Sequence, residues 1–278
     1  MIAQSYDPPL AAFADEISPK LSEALALLRI HEINSVDLRS VDNVGILELD
    51  DRQIGEVQRM LVGEHVGVKA IATPIGKTPV DVPATVEWAR FQRALEIAQR
   101  LQAGYIRLFT GYGPTGTWRS EADREAWREP VASRIAAMDT EATSNGVTIL
   151  VENNEATLAE SPQMMMALLN STGSDTVRTA FDAANYMSCG YDPYPALCTL
   201  QSWIGCLHVK DVDDAGRITV AGLGGCQWPK ILDRLAQAPV RGYLSLEPHL
   251  QSSGPAGGFT GVAKFNEAVT ALSALLGR

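Results

Sequence analysis

Short runs of apolar and β-branched residues alternate eight times along the chain with longer segments whose apolar positions recur at helical spacing. The runs fall at 11–15, 35–38, 68–72, 105–109, 147–151, 177–181, 204–207 and 243–246. The helical segments fall near 18–29, 51–64, 84–102, 121–145, 161–170, 195–201, 228–237 and 262–276, and Ser18 with Pro19 makes a cap and first-turn pair for the first. Strand–helix alternation without a long linker predicts an α/β fold, a (β/α)8 TIM barrel in which residues 1–278 form a single domain. The rival is an open doubly wound sheet. That fold usually carries a glycine-rich phosphate loop after its first strand, and Asp15-Glu16-Ile17-Ser18-Pro19 has no glycine.

Strands five to eight share a grammar: each apolar run stops on a side chain able to ligate a metal. They read Thr148-Ile149-Leu150-Val151-Glu152, Val177-Arg178-Thr179-Ala180-Phe181-Asp182, Ile204-Gly205-Cys206-Leu207-His208 and Tyr243-Leu244-Ser245-Leu246-Glu247. A closed parallel barrel brings the C-terminal ends of its strands to one mouth, where active sites sit. A single acid or histidine at a strand end is ordinarily a cap or a structural hydrogen-bonding group. Four in the same place on consecutive strands point instead to one divalent metal ion held by Glu152, Asp182, His208 and Glu247. Three carboxylates and an imidazole form a hard, mostly oxygen site that suits Mn2+ best and also accommodates Mg2+, Co2+ or Zn2+.

Charge narrows the function classes. Lys and Arg number 23 against 33 Asp and Glu, a formal net charge of −10, and no basic stripe is present, which disfavours nucleic acid and anionic lipid as partners. The opening residues, MIAQSYDPPL, lack the charged and apolar regions of a signal peptide, and no apolar run reaches the length of a membrane span. Cys189, Cys198, Cys206 and Cys226 show no CxxC spacing and read as free thiols in a reducing cytoplasm.

Beyond the four strand ends, the chain resembles the xylose isomerase-like TIM-barrel superfamily, in particular its sugar phosphate isomerase/epimerase branch. The matching segments are Phe13-Ala14-Asp15-Glu16-Ile17-Ser18, Pro74-Ile75-Gly76-Lys77, Val151-Glu152-Asn153, Phe181-Asp182-Ala183-Ala184-Asn185, His208-Val209-Lys210-Asp211 and Leu246-Glu247-Pro248-His249. The resemblance implies that Glu152, Asp182, His208 and Glu247 are metal ligands and that Glu152 and Glu247 are the catalytic acid/base pair on opposite sides of the substrate. It implies a metal-dependent isomerase or epimerase of a sugar or sugar phosphate, working by proton transfer next to a carbonyl through a metal-stabilised enediolate. The expected partner is a small-molecule carbohydrate, and a homo-oligomer is compatible. Three departures bear on the substrate: Asn154 stands where relatives often carry a second Glu, Leu223 where many show Gly-Glu-Gly, and Asn185 where sugar epimerases have His.

The same ligands would serve a metal-dependent dehydratase of a keto-sugar, inosose or sugar acid, since its first step is the same α-proton abstraction. An apurinic endonuclease of this fold needs more strand-end histidines than are present, and a purely binding barrel does not need two opposed acids. Lys210, Lys77, Asn185 and His249 are the candidate substrate-binding residues. Glu16 and Arg39 are expected to form a salt bridge across the mouth, while His31 and His65 follow helices at the opposite end and read as structural. The loop of Gly111, Gly113 and Gly116 is the candidate lid, and Gly254 to Gly261 a candidate phosphate cradle. Met164, Met165 and Met166 are expected to pack their helix, and Trp118, Trp203 and Trp228 to pack core or lid.

Overall fold

Eight parallel strands close on themselves: β1 (Leu10–Phe13), β2 (Ser35–Leu38), β3 (Gly67–Ala72), β4 (Tyr105–Leu108), β5 (Thr148–Glu152), β6 (Arg178–Asp182), β7 (Ile204–Val209) and β8 (Tyr243–Leu246). This computed structural model describes residues 7–237, 240, 242–251 and 258–278. Each strand pairs with its sequence neighbours, and β1 meets β8 with Leu10 opposite Leu244. The result is a single (β/α)8 barrel, as the strand–helix alternation requires.

Side-chain alternation explains why the strands look almost uniformly apolar. Outward residues such as Val36, Ile71, Ile106, Val151, Leu207 and Leu246 are buried under the helices. Inward, Ala11, Leu150, Ala180, Cys206 and Tyr243 form a separate small cluster inside the barrel. Both faces are therefore dry, and a period-two pattern has little to show. One step further along the inward set come Glu152, Asp182, His208, and, past Ser245, Glu247. Strand parity alone aims all four into the barrel.

The helices of the outer ring largely follow the expected segments, with local signals deciding their ends. Asp50 forms a capping box with Gln53 for Asp51–Gly63, Ser120 caps Glu121–Ser144, and Ser161 caps Pro162–Ser171. The first helix is a correction. A four-residue helix, Ala14–Ile17, directly follows β1, and Ser18 ends it instead of opening the next. The main helix then runs Leu21–Ile30 with no side-chain cap, while Ser18 Oγ donates to Glu23 Oε2 at 2.7 Å. A second short helix, Ala183–Ser188, follows β6 ahead of Pro193–Leu200. Two small hairpins at the mouth, Ser40–Val41 with Val44–Gly45 and Asp211–Val212 with Ile218–Thr219, were also not read from the pattern.

All four cysteines are free, and among the described residues no helix is long and apolar enough to cross a membrane. Met165 is buried and Met164 packs against the core, whereas Met166 faces solvent. His31 ends its helix with Nε2 beside Asn266 Oδ1, and His65 lies just past the end of its own. Trp228 is buried, and the Trp118 indole donates to the Ala156 carbonyl at 2.9 Å.

Candidate metal centre and active-site cavity

The ends of β5, β6, β7 and β8 bring Glu152, Asp182, His208 and Glu247 together, each buried, with one donor atom apiece all within 4.8 Å of one another. His208 Nδ1 lies 3.2 Å from Glu247 Oε2, 3.7 Å from Glu152 Oε1 and 3.8 Å from Asp182 Oδ2. The ring stands edge-on to Phe13 at 5.2 Å between centroids, which limits its rotation. Asp182 divides its oxygens: Oδ1 accepts from Asn185 N as cap of the short helix, leaving Oδ2 toward the cluster. The Asn153 amide bonds both the N–H and the carbonyl of Asp182 at 2.9 Å, fixing the β5 and β6 ends relative to each other.

Cations surround this acidic centre. Lys210 Nζ lies 2.7 Å from Asp182 Oδ2 and 3.5 Å from Glu247 Oε2. Arg107 Nε lies 3.1 Å from Glu152 Oε2, and Arg39 reaches Asp15 and Glu16 at 2.9 Å and Glu247 Oε1 at 3.2 Å. His249 Nε2 sits 3.2 Å from Glu16 and 3.4 Å from Glu247. The expected Glu16–Arg39 salt bridge is therefore present, inside a larger network.

Burial alone would raise the Glu152 pKa, yet Arg107 and His208 outweigh it and bring the carboxyl down to about 2. Glu247 is likewise held well below the usual range: burial pushes up, and Lys210, His249 and His208 pull further down. For His208 burial pushes down, but Glu152 and Glu247 raise the imidazole well above its ordinary value. Clustered carboxylates thus demand a positive charge in their midst. A proton on His208 is one answer and a divalent cation is the other.

The donor set fits a metal. Glu152 Oε2, Asp182 Oδ2 and His208 Nδ1 are buried without a hydrogen bond, although Arg107 and Lys210 stand beside two of them as ion-pair partners. Asp37, Cys206 and His208 form another compact group one layer deeper. There the carboxylate is already satisfied: Ser245 Oγ donates at 2.7 Å, Tyr243 Oη at 3.0 Å and Ala70 N at 3.0 Å. Burial lifts the Asp37 pKa to about 6, with those donors and His208 opposing. This deeper group supports the lower edge of His208 and is a poorer metal site.

A cavity of about 630 Å3 opens above the cluster, lined among others by Arg39, Lys77, Arg107, Asn185, Lys210 and His249. All four expected substrate-binding residues thus face one space. Asn185 Nδ2 donates to the Asn153 carbonyl at 2.9 Å and lies 3.4 Å from Glu152 Oε1. The aromatic walls are Phe109 and Phe259, and no tryptophan lines the cavity. The Gly111 to Gly116 loop lines no part of it either, so it is not the lid it was expected to be. Backbone hydrogen bonds tie Gly111 to Gly76 and Leu158, and Tyr112 to Thr78 and Val80. Of the candidate phosphate cradle, 254–257 lie outside the described residues, while Gly258 offers its carbonyl to Arg39 at 3.0 Å.

Arg107 and Asp37 escaped the sequence reading. Each is a charged residue at an inward position of a short apolar strand, in Tyr105-Ile106-Arg107-Leu108 and Ser35-Val36-Asp37-Leu38. A charge at an inward position of a barrel strand must have a buried partner. That was the available signal.

A closed parallel barrel carries three carboxylates and an imidazole that face one another under a cavity and could hold a metal ion. The chain belongs to the xylose isomerase-like TIM barrel family, whose sequence profile matches residues 26–268. Among solved structures, the IolI protein with a bound zinc atom is similar at a TM-score of 0.77 and 16% identity, over 96% of this chain and 98% of that one. D-psicose 3-epimerase from Clostridium cellulolyticum, solved with D-tagatose, is similar at 0.73 and 16%, over 96% and 98%. The probable 3-DHS dehydratase AsbF of Bacillus anthracis is similar at 0.71 and 13%, over 91% and 93%. At these identities the likeness is one of fold. No curated protein sequence matches the chain significantly.

Proposed function

We propose that the chain is a divalent-metal-dependent isomerase or epimerase of a sugar or sugar phosphate, moving a proton at the carbon next to a carbonyl. One observation carries the reading: four buried ligand-type side chains from four adjacent strands converge within 4.8 Å under the cavity. Glu152, Asp182, His208 and Glu247 would hold one ion, with Mn2+ the best match to an imidazole and three carboxylates. When bound, the ion supplies the positive charge that stabilises an oxyanion developing on the substrate carbonyl.

The protein's own residues do the rest. Glu152 and Glu247 are held ionised by the cations around them, and a carboxylate must be ionised to accept a proton. They approach His208 from β5 and β8, and as a pair they would take a proton from one side of the substrate and return one from the other. Arg39 and His249 orient Glu247, and Arg107 orients Glu152. Lys210, Lys77, Asn185 and His249 would bind the substrate. His249 keeps the dehydratase reading alive as the second choice. Burial and Lys210 lower its pKa, but Glu247 and Glu16 outweigh them and raise it, and from the cavity lining its imidazole could assist loss of a β-hydroxyl as a proton donor.

Incubating the Mn2+-loaded protein with a panel of ketoses and keto-sugars in D2O tests the reaction. The expected product is an isomer or epimer of one panel member carrying deuterium at the carbon next to the carbonyl. Unlabelled isomer would contradict proton transfer, and a product short of one water would assign the dehydratase reading.

A further inference from the structure

Resting on that metal-dependent reading, we propose that the substrate carries an anionic group, a carboxylate or a phosphate, which Lys77 and Arg107 hold at the β3–β4 side of the cavity. Four cationic side chains, Arg39, Lys77, Arg107 and Lys210, line this space. Three have carboxylate partners: Arg39 has Asp15, Glu16 and Glu247, Lys210 has Asp182 and Glu247, and Arg107 has Glu152. Lys77 has no ion pair among the described residues, and the residues outside the description include no Asp or Glu. Its ammonium lies over the Phe109 ring at 4.4 Å from the centroid, and the Arg107 guanidinium lies at the same distance from that ring. Two like charges share one aromatic support.

The position is built into the backbone. Gly76 has φ +77°, and a Cβ there would come within 2.1 Å of the Phe109 carbonyl oxygen. That close approach lets Phe109 N donate to the Ile75 carbonyl at 2.8 Å and Gly111 N to the Gly76 carbonyl at 2.9 Å. The loop after β3 is thus laced to the loop after β4, and Lys77 N closes a turn onto the Pro74 carbonyl at 2.9 Å. Partial burial and the neighbouring Arg107 lower the Lys77 pKa and outweigh the more distant pull of Glu152 and Glu247, with which Lys77 forms no ion pair. Arg107 is aimed by a bond from Nη1 to the Thr73 carbonyl at 2.9 Å, so its direction does not depend on Glu152 alone. A divalent ion on the cluster would draw on the charge of Glu152, Asp182 and Glu247 and leave Arg107 and Lys210 less compensated. Asp15 and Glu48 also line the cavity, but the side that carries Lys77 and Arg107 then favours an anion, and a neutral sugar leaves Lys77 unpaired.

Binding to the Mn2+-loaded protein tests this without relying on turnover. Calorimetry at low salt would compare D-fructose, D-fructose 6-phosphate and 2-keto-D-gluconate on the wild type, Lys77→Met and Lys77→Arg. The expected result is that one of the two anions binds at least tenfold more tightly than fructose, and the preferred one tells phosphate from carboxylate. Lys77→Met removes that preference without weakening fructose, and Lys77→Arg restores most of it. Neither anion binding more tightly than fructose overturns the proposal, as does Lys77→Met weakening all three ligands alike. Manganese content measured on the same samples separates the two levels. Full occupancy without anion preference defeats only this inference, whereas protein that takes up no manganese defeats it together with the metal reading.

Discussion

Glu247→Gln is expected to lower turnover by about a thousandfold or more, roughly 4 kcal/mol of transition-state stabilisation, while the protein remains folded. Glutamine preserves the shape and an acceptor oxygen for Arg39, so packing at the end of β8 survives. It cannot act as a base at neutral pH, and it removes a negative charge that Lys210, Arg39, His208 and His249 all face. The variant should unfold at nearly the wild-type denaturant midpoint and show no detectable label exchange with any ketose that the wild type converts. Near-normal rates would remove Glu247 from the acid/base pair.

Asp211→Ala should destabilise the protein by about 4 kcal/mol in urea unfolding, although Asp211 touches no ligand of the proposed ion. Its buried carboxylate accepts four backbone N–H groups: Oδ1 from Val212 and Cys226 at 2.9 Å, Oδ2 from Gly222 at 2.9 Å and Gly224 at 3.1 Å. Alanine strands these donors in a protected loop. Gly224 is bound to the same arrangement, because a Cβ there would lie 2.4 Å from Asp211 Oδ1 and 2.3 Å from the Val212 carbonyl oxygen. The loop leads into Trp228, whose indole N–H donates to the Lys210 carbonyl at 2.9 Å. Loss of the loop should therefore also disturb Lys210, and with it Asp182. A change below 1 kcal/mol would show that water replaces the carboxylate at little cost.

This assigns the last residue of His208-Val209-Lys210-Asp211 to architecture, and it shows where sequence reading runs out. The four strand ends were legible because strand parity, a local rule, determines where they point once the barrel is assumed. The Ser35–Leu38 and Tyr243–Leu246 strands were read to the residue. The short helices Ala14–Ile17 and Ala183–Ser188 were not, since a single turn leaves no periodicity and Asp182 had already been read as a strand end. Nor was the Ser18 cap, because Asp42 at the neighbouring hairpin lies 3.4 Å from the Leu21 N–H and supplies an acceptor from far along the chain. The Arg107–Glu152 and Asp37–Tyr243 contacts join different strands across the barrel interior. No spacing within one segment encodes such pairs. The glycine-rich loop misled for a related reason: glycines at 111 and 113 serve close backbone packing, where a Cβ would meet Val80 or the Thr117 backbone.

The most direct test is a Mn2+ titration of chelator-stripped protein, followed by electron paramagnetic resonance of the free ion, with Asp182→Asn alongside. A single site on Glu152, Asp182, His208 and Glu247 should bind one ion per wild-type chain. It should also lose more affinity in the variant than the roughly 10–100-fold typical of outer-shell changes, because Asp182 Oδ2 would be a direct ligand. Binding of less than half an equivalent by the wild type, or equal binding by the two proteins, would contradict it.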